Sequence, residues 1–512
     1  MSKNSKSTIG NEPITDARKL GIPKMLVLGL QHMFAMFGAT VLVPMITGLD
    51  VSTTLLMAGL GTLLFHLITK MKVPAFLGSS FAFLGGYAAV KAAGAEQGLA
   101  NALPYACLGV ACAGLVYLVL AFIIKVVGIT RVMKFFPPVV TGPIIITIGL
   151  ILAPSAINNC TSNWILAIIA LLIVIVFNIW GKGMAKIIPI ILGVIGAYVS
   201  GLILYYIGQA NPGLIQDVPW LFSGGFNADT GLYAPIFDFT NINAICQNIA
   251  SGQIFGSQGL IGFPINFGRD GNTIFAIDWA NTSMIVSSIV AIIPISLATM
   301  MEHIGDISAI GATTGKNFIA DPGLHRSLTG DGLATTIASI FGGPANTTYG
   351  ENTGVLALTK VYDPRVVRIA ACFAVGISFF PIVSAVISTI PAAVIGGISV
   401  ILYGMISSIG VRNMVESKVD LTKSRNLIVA AVIIVSALGI SFSSAVGGSI
   451  SFILGSATIS LSGLAVAAIV GIFLNAILPG KDYVFSADSP SETGVNFAVG
   501  ANSKRQEPEE TE

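Results

Sequence analysis

Pro344-Ala345-Asn346-Thr347-Thr348-Tyr349-Gly350-Glu351-Asn352 sets a run of small polar residues and a glutamate inside a chain that is otherwise overwhelmingly apolar. A similar break, Pro74-Ala75-Phe76-Leu77-Gly78-Ser79-Ser80-Phe81, stands in the first half. Each is followed by an apolar run too short for a full span. Both therefore read as extended backbone leading into a half-helix, a form tolerated at membrane depth only where it is buried in protein or lines a cavity. Interrupted segments at matching places of two halves point to a carrier's solute site. A carboxylate in a bilayer costs roughly 2.5 to 3.5 kcal/mol even on lenient insertion scales, so Glu351 needs a functional reason to be there.

The composition agrees. Of 512 residues, 54% are hydrophobic and only 10% charged, against about 25% charged in soluble domains. This is a polytopic membrane protein. The net charge of +2 says little about partners, because in a membrane protein the distribution of charge matters more than its sum. Residues 1–24 carry Lys3, Lys6, Arg18, Lys19 and Lys24 without an apolar core of signal-peptide length, and read as a cytoplasmic tail. The cysteines at 107, 112, 160, 246 and 372 form no Cys-x-x-Cys pair and read as small buried apolar residues; a Cys160–Cys246 disulfide is conceivable, though nothing in the spacing asks for it. The four histidines are too dispersed for a metal site.

Apolar runs predict spans at 25–47, 53–69, 81–94 (short), 103–126, 139–153, 164–180 and 187–207. A second set follows at 283–304, 331–342 (short), 350–360 (short), 366–388, 391–410, 426–442 and 457–478. The expected architecture is all-α, with fourteen segments. With the N-terminus inside, 24 of the 26 lysines and arginines fall on the inner side, and only Lys91 and Arg269 outside. That asymmetry places both termini, 1–24 and 479–512, in the cytoplasm and the polar connection 208–282 outside. The aromatics of that connection point to some packed structure, without chemistry. An odd seven per half inverts 25–207 relative to 283–478, and traces of duplication remain. Gln31-His32 leads to Gly38-Ala39-Thr40 as Glu302-His303 leads to Gly311-Ala312-Thr313, and Pro137, Val140, Gly142 and Ile144 recur as Pro391, Val394, Gly396 and Ile398.

Among the acidic residues, only Glu302, Asp306 and Glu351 fall well within the predicted spans. Glu302 and Asp306 lie one helical turn apart on one face, where two carboxylates would tend to share a proton. A proton-coupled carrier needs such a group; the bland reading is a neutral acid hydrogen-bonded between helices. The half-helix starts leave backbone N–H groups free, Gly350 allows close approach, and Phe81 or Tyr349 offers an aromatic face. The bland reading here is helix packing through small residues. Glu302 and Glu351 as acceptors, N–H donors near Phe81 and Gly350, and a ring to stack on fit a flat heterocycle with alternating N–H and C=O groups, such as a nucleobase.

The motifs Gln31-His32-Met33-Phe34-Ala35-Met36-Phe37-Gly38-Ala39-Thr40-Val41-Leu42-Val43-Pro44, Pro74 to Phe83, Asp321-Pro322-Gly323-Leu324-His325-Arg326 and Thr347 to Asn352 resemble, in this order, the uracil permease branch of the nucleobase-ascorbate transporter (nucleobase:cation symporter 2) family. The likeness runs from about residue 20 to 425. It implies two inverted repeats of seven spans, a core domain of spans 1–4 and 8–11, and a gate domain of spans 5–7 and 12–14. It also implies proton-coupled uracil uptake across the cytoplasmic membrane of a bacterial cell. Carried over position by position, the ligand carboxylates are Glu302 and Glu351, the aromatic contact Phe81, the backbone donor Gly350 and a gate-side tyrosine Tyr403. Two features depart from the pattern. Asp306 stands where uracil members usually carry histidine, as in xanthine-type relatives, and the outer connection is long. Against a purine, Glu351 stands where purine carriers commonly have glutamine.

The expected partners are thus uracil or a related nucleobase and the lipid bilayer, with no nucleic acid, no metal, and no cofactor beyond the proton as coupling ion; a homodimer stays open. The alternatives are a xanthine or purine symporter driven by H+ or Na+ and, more distantly, an anion carrier, which two glutamates would oppose unless protonated. An integral membrane enzyme lacks support, since the spans hold no His-Glu-x-x-His, paired-aspartate or Ser/His arrangement. A channel would not need inverted broken helices.

Overall fold

The computed structural model describes residues 12–227, 231–268, 271–454, 457–481 and 483. Arg269 and most of the predicted C-terminal tail lie outside them. The described chain is mostly helical, with three two-stranded antiparallel sheets and no closed one. Among the described residues eight helical segments, with Thr282–Thr314 counted as one, are long and apolar enough to cross a membrane, nine if a bent pair counts as one span.

In chain order the first half runs α1 (Ile22–Thr47), α2 (Val51–Ile68), β1 (Leu77–Ser79), a 3-10 turn at Phe81–Phe83, α3 (Leu84–Glu96), α4 (Leu103–Val127), α5 (Pro138–Cys160), α6 (Trp164–Trp180) and α7 (Pro189–Ala210). The connection between the halves carries β2 (Ser223–Asn227), β3 (Leu232–Pro235) and α8 (Thr240–Ala250). The second half runs α9 (Thr282–Ile292), α10 (Ile295–Thr314), α11 (Leu324–Ile340), β4 (Asn346–Thr348), α12 (Gly350–Thr359), α13 (Pro364–Ser378), α14 (Pro381–Ser388), α15 (Ala392–Glu416), α16 (Ser424–Phe442), β5 (Ser449–Leu454), β6 (Ala457–Ser462) and α17 (Gly463–Ile477).

Four predicted spans differ in form. The segment 283–304 is two helices that meet at Pro294. The segment 366–388 bends by 87° before Pro381, whose ring cannot continue a helix. The short segment 331–342 belongs to a longer helix, α11, that starts at Leu324; its first turns carry His325, Arg326 and Ser327 and so lack the apolar run that marks a span. The stretch 457–478 is a strand and then a helix. Serines alternating with apolar residues from Ser449 to Phe452 have the period of a strand, and Ser462 starts α17 by accepting the Ala465 N–H at 3.3 Å.

The helices pack in two groups. In one, α2 lies against α11 and α13, α4 against α9 and α11, and α1 against α13; in the other, α5 lies against α15 and α16, α6 against α7 and α15, and α16 against α17. The α5–α15 crossing is close enough that a Cβ on Gly149 would come within 2.1 Å of the Tyr403 carbonyl oxygen.

Within the first group β1 and β4 cross antiparallel, with Leu77, Gly78 and Ser79 opposite Thr348, Thr347 and Asn346. Backbone groups in an apolar interior must find partners inside the protein. Here the pairing extends past the strands, Ser80 N–H donating to Ala345 O at 2.9 Å and Tyr349 N–H to Phe76 O at 3.0 Å. Polar side chains from two helices, α2 and α11, serve the remaining groups. Thr62 accepts the Leu77 N–H at 2.9 Å, Thr335 donates to Asn346 O at 2.8 Å, and the His66 ring lies 2.8 Å from Ala75 O.

The rest of the chain is tied to this frame. Residues of the predicted N-terminal tail are docked, Ile14 bridging to the turn after α12 through Ile14 N–H to Lys360 O and Tyr362 N–H to Ile14 O, both 2.8 Å. In the connection between the halves Phe237 and Phe239 stack at 5.4 Å, with Tyr205 edge-on to both, so its aromatics do pack. All five cysteines are free, so Cys160 and Cys246 are not bridged; Cys107 and Cys160 are buried as expected, whereas Cys246 and Cys372 are exposed.

The crossing depends on Gly78, where a Cβ would lie 2.4 Å from the Tyr349 ring. Gly78→Ala is therefore expected to destabilise the protein by about 1–3 kcal/mol, the usual range for overpacking. Thermal unfolding in detergent would show it, and a melting temperature equal to that of the unaltered chain would refute the crossing as drawn.

Candidate functional site

Both half-helices start at the strand crossing, so their N-termini converge. A cavity of about 70 Å3 sits there. It is lined from the first group by Ser79, Phe81, Glu302, Gly305, Asp306 and Thr347 to Gly350, and from the second by Ile145 of α5 and by Leu402, Met405, Ile406, Ile409 and Asn413 of α15. The cavity thus lies between the two groups.

The structure brings most of the expected residues together. Phe81 is nearly buried and meets Tyr403 edge-on, with ring centroids 6.0 Å apart at 75°. Tyr403 does not itself line the cavity; it backs the Phe81 ring. Glu302 and Asp306 both face the cavity from α10. The Asp306 carboxylate accepts a hydrogen bond from Thr348 Oγ1 at 2.8 Å, so it is joined to β4. Gly350 opens α12, and its N–H, in the first turn, has no acceptor within the helix. Glu351 follows in that first turn; its side chain lies outside the described residues.

The two aromatic candidates have different duties. The Tyr349 hydroxyl donates to Ser79 O at 2.9 Å, and its ring covers Gly78, so it locks the strand crossing. Phe81 is left to offer a ring face. Thr347 also lines the cavity, and its Oγ1 is buried without a hydrogen-bond partner. An unpaired buried hydroxyl is costly, and one that faces a cavity is ready for a polar solute.

One acidic residue escaped the sequence reading. Asp331, in the middle of α11, is fully buried and pairs with His303 Nδ1 at 2.9 Å. The predicted span began at residue 331, which put this carboxylate at an edge, although Gly330-Asp331-Gly332 within a helix was a readable signal. His303 directly follows Glu302, and its Nδ1 also lies 3.5 Å from Thr348 Oγ1, so a polar cluster of Asp306, Thr348, His303 and Asp331 runs from the cavity into the first group. A second unforeseen contact joins Asn352 Nδ2 to His32, at 3.1 Å from Nδ1 and 3.2 Å from the carbonyl oxygen, tying α12 to α1. The arrangement can present acceptor carboxylates, a backbone donor and an aromatic face to a small planar solute.

A sequence model described as the Permease family matches residues 23–446. A uracil permease of Bacillus caldolyticus is 37% identical over 439 residues, covering 84% of this chain and 88% of that protein. A uracil permease of Bacillus subtilis is 36% identical over 426 residues, covering 81% and 85%. The solved structure of SLC26A9 superposes with a TM-score of 0.50 at 13% identity, over 90% of this chain and 66% of that one, a likeness of fold alone.

Removing one partner of a buried hydrogen-bonded pair leaves the other polar group unsatisfied, at a cost of about 1–3 kcal/mol. His303→Leu is therefore expected to lower the melting temperature sharply, and adding Asp331→Leu to recover part of the loss. A double variant no more stable than His303→Leu would show that the two side chains do not act as a pair.

Proposed function

The chain belongs to the permease family, and on that premise we propose that it carries uracil across the membrane by alternating access, as a carrier and not an enzyme. The observation that carries the reading is the cavity at the strand crossing, where Glu302, Gly350 and Phe81 converge in a chain more than a third identical to uracil permeases. Glu302 and Glu351 accept the ring N–H groups of the base, the Gly350 N–H donates to a ring carbonyl, and Phe81, backed by Tyr403, supplies the stacking face.

The two helical groups serve as the moving bodies. Spans 1–4 and 8–11 form a core domain that holds the half-helices, and spans 5–7 and 12–14 form a gate domain against which it moves, exposing the site to each side in turn. Fourteen segments in two inverted repeats, both termini cytoplasmic and the 208–282 connection outside, complete the topology. The packing of α1–α4 with α9–α13 and of α5–α7 with α15–α17 supports this division.

Uptake is driven by protons, with Glu302, helped by Asp306, as the coupling group. A carboxylic acid that must be protonated before a neutral base can bind from outside makes proton and solute travel together. The link from Asp306 to β4 through Thr348 supports this role, because protonation at α10 then acts on the strand that leads into α12. Asp306 also keeps a purine in view as the competing substrate.

Radiolabelled uracil uptake into cells lacking their own permease is the test. Saturable accumulation that collapses with a protonophore and resists excess xanthine and uric acid is expected. Glu302→Gln should lose proton-driven accumulation, and retention of full coupling would refute its role. Competition by xanthine but not thymine would replace uracil with a purine.

A further inference from the structure

A second cavity, of about 610 Å3, lies beyond the strand crossing. The two spaces share a wall. Ile145 of α5 faces the inner cavity, while Ile148 and Leu152, one and two turns further along, face the second. At 1.5 Å per residue this stacks them about 5–10 Å apart along the helix. Phe81 lines the inner space and its neighbour Ala82 the outer one, so the partition between them is the start of the first half-helix, at the place where the solute would stack.

The walls of the outer space differ in chemistry. On α3, Gly85, Ala89 and Ala92 fall on one helix face and leave a wall of backbone and methyl groups. Opposite stands the β5–β6 hairpin. Ser449 and Ser451 line the cavity, while the alternate residues Ile450 and Phe452 stay 41% and 46% exposed. Ser462, the register partner of Ser449, lines it too. The hairpin springs from α16 and α17 of the second group, yet β6 packs along α9 of the first, so it closes this space from one body onto the other. Glu96, at the end of α3, is the one charged residue among the described lining.

Hydroxyls facing methyl groups, with a carboxylate at the rim, suit an uncharged solute that both donates and accepts hydrogen bonds, and oppose an anion. We infer that this space is an antechamber, a weaker second site in which a neutral nucleobase is held by the hairpin serines before it passes Phe81 into the inner cavity. The inference rests on the uracil-carrier reading and adds to it a second binding site and a route.

The test compares uptake with binding in the full-length chain. Ala89→Trp fills the outer space from its methyl wall and leaves Glu302 and Gly350 untouched. It is expected to slow uracil uptake about tenfold or more while uracil binding to the purified protein changes by less than about threefold. The Ser449→Ala/Ser451→Ala pair, which removes two hydroxyl partners, should raise the KM for uptake by about fivefold or more at an unchanged maximal rate. Because tryptophan could perturb folding, a second route uses Ala92→Cys with Cys246→Ser. A membrane-impermeant maleimide added outside should stop uptake, and saturating uracil should slow the modification. Uptake at the native rate by Ala89→Trp, or by fully modified Ala92→Cys, would overturn the antechamber. If the unaltered chain neither binds nor takes up uracil, the carrier reading fails and the antechamber falls with it; failure of the antechamber alone leaves uptake by the unaltered chain intact.

Discussion

Two extended strands buried in an apolar interior carry polar backbone that must find its partners inside the protein, and the side chains around them supply those partners. Leu77–Ser79 and Asn346–Thr348 pair with each other, and Thr62, Thr335 and His66 serve the groups that pairing leaves over. With water absent, each unsatisfied group would cost several kcal/mol, so the crossing either forms completely or not at all. This explains why Gly78 has no side chain and why the Tyr349 ring, which occupies that space, closes the crossing instead of facing the solute.

The same crossing creates the chemistry. It aims the first turns of two half-helices at one point, supplying N–H donors and partial positive charge without a cationic side chain. Carboxylates on α10 can then face that point as acceptors. The cluster from Asp306 through Thr348 and His303 to the fully buried Asp331 runs from the cavity into the helical group that carries the strands. The cavity therefore lies where one body ends and the other begins, which is where a solute must sit if relative movement is to expose it to either side.

Much of this was legible in residues. The two Pro-marked breaks located both half-helices and their extended leads, and Glu302, Asp306, Phe81 and Gly350 all line the cavity. Composition and apolar runs gave a multi-pass helical chain. What stayed hidden depends on tertiary contact. Asp331 sits in a helix whose first turn is too polar to register as a span, and only its packing reveals that it is fully buried against His303. Strand β6 lies inside the predicted span 457–478, although Ala457 to Ser462 alternate apolar and polar residues with the period of a strand, because the long apolar run that follows from Gly463 dominates the stretch. Tyr349 and Phe81 looked equivalent as aromatic faces until the register of the strands assigned one to the crossing and left the other to the cavity.

The central claim, that the strand crossing binds uracil, is tested most directly by a structure of the protein determined with uracil bound. The account predicts the base against the Phe81 ring, with a ring N–H directed at Glu302 and a ring carbonyl at the Gly350 N–H. A base bound out of reach of both Glu302 and Gly350 would contradict it.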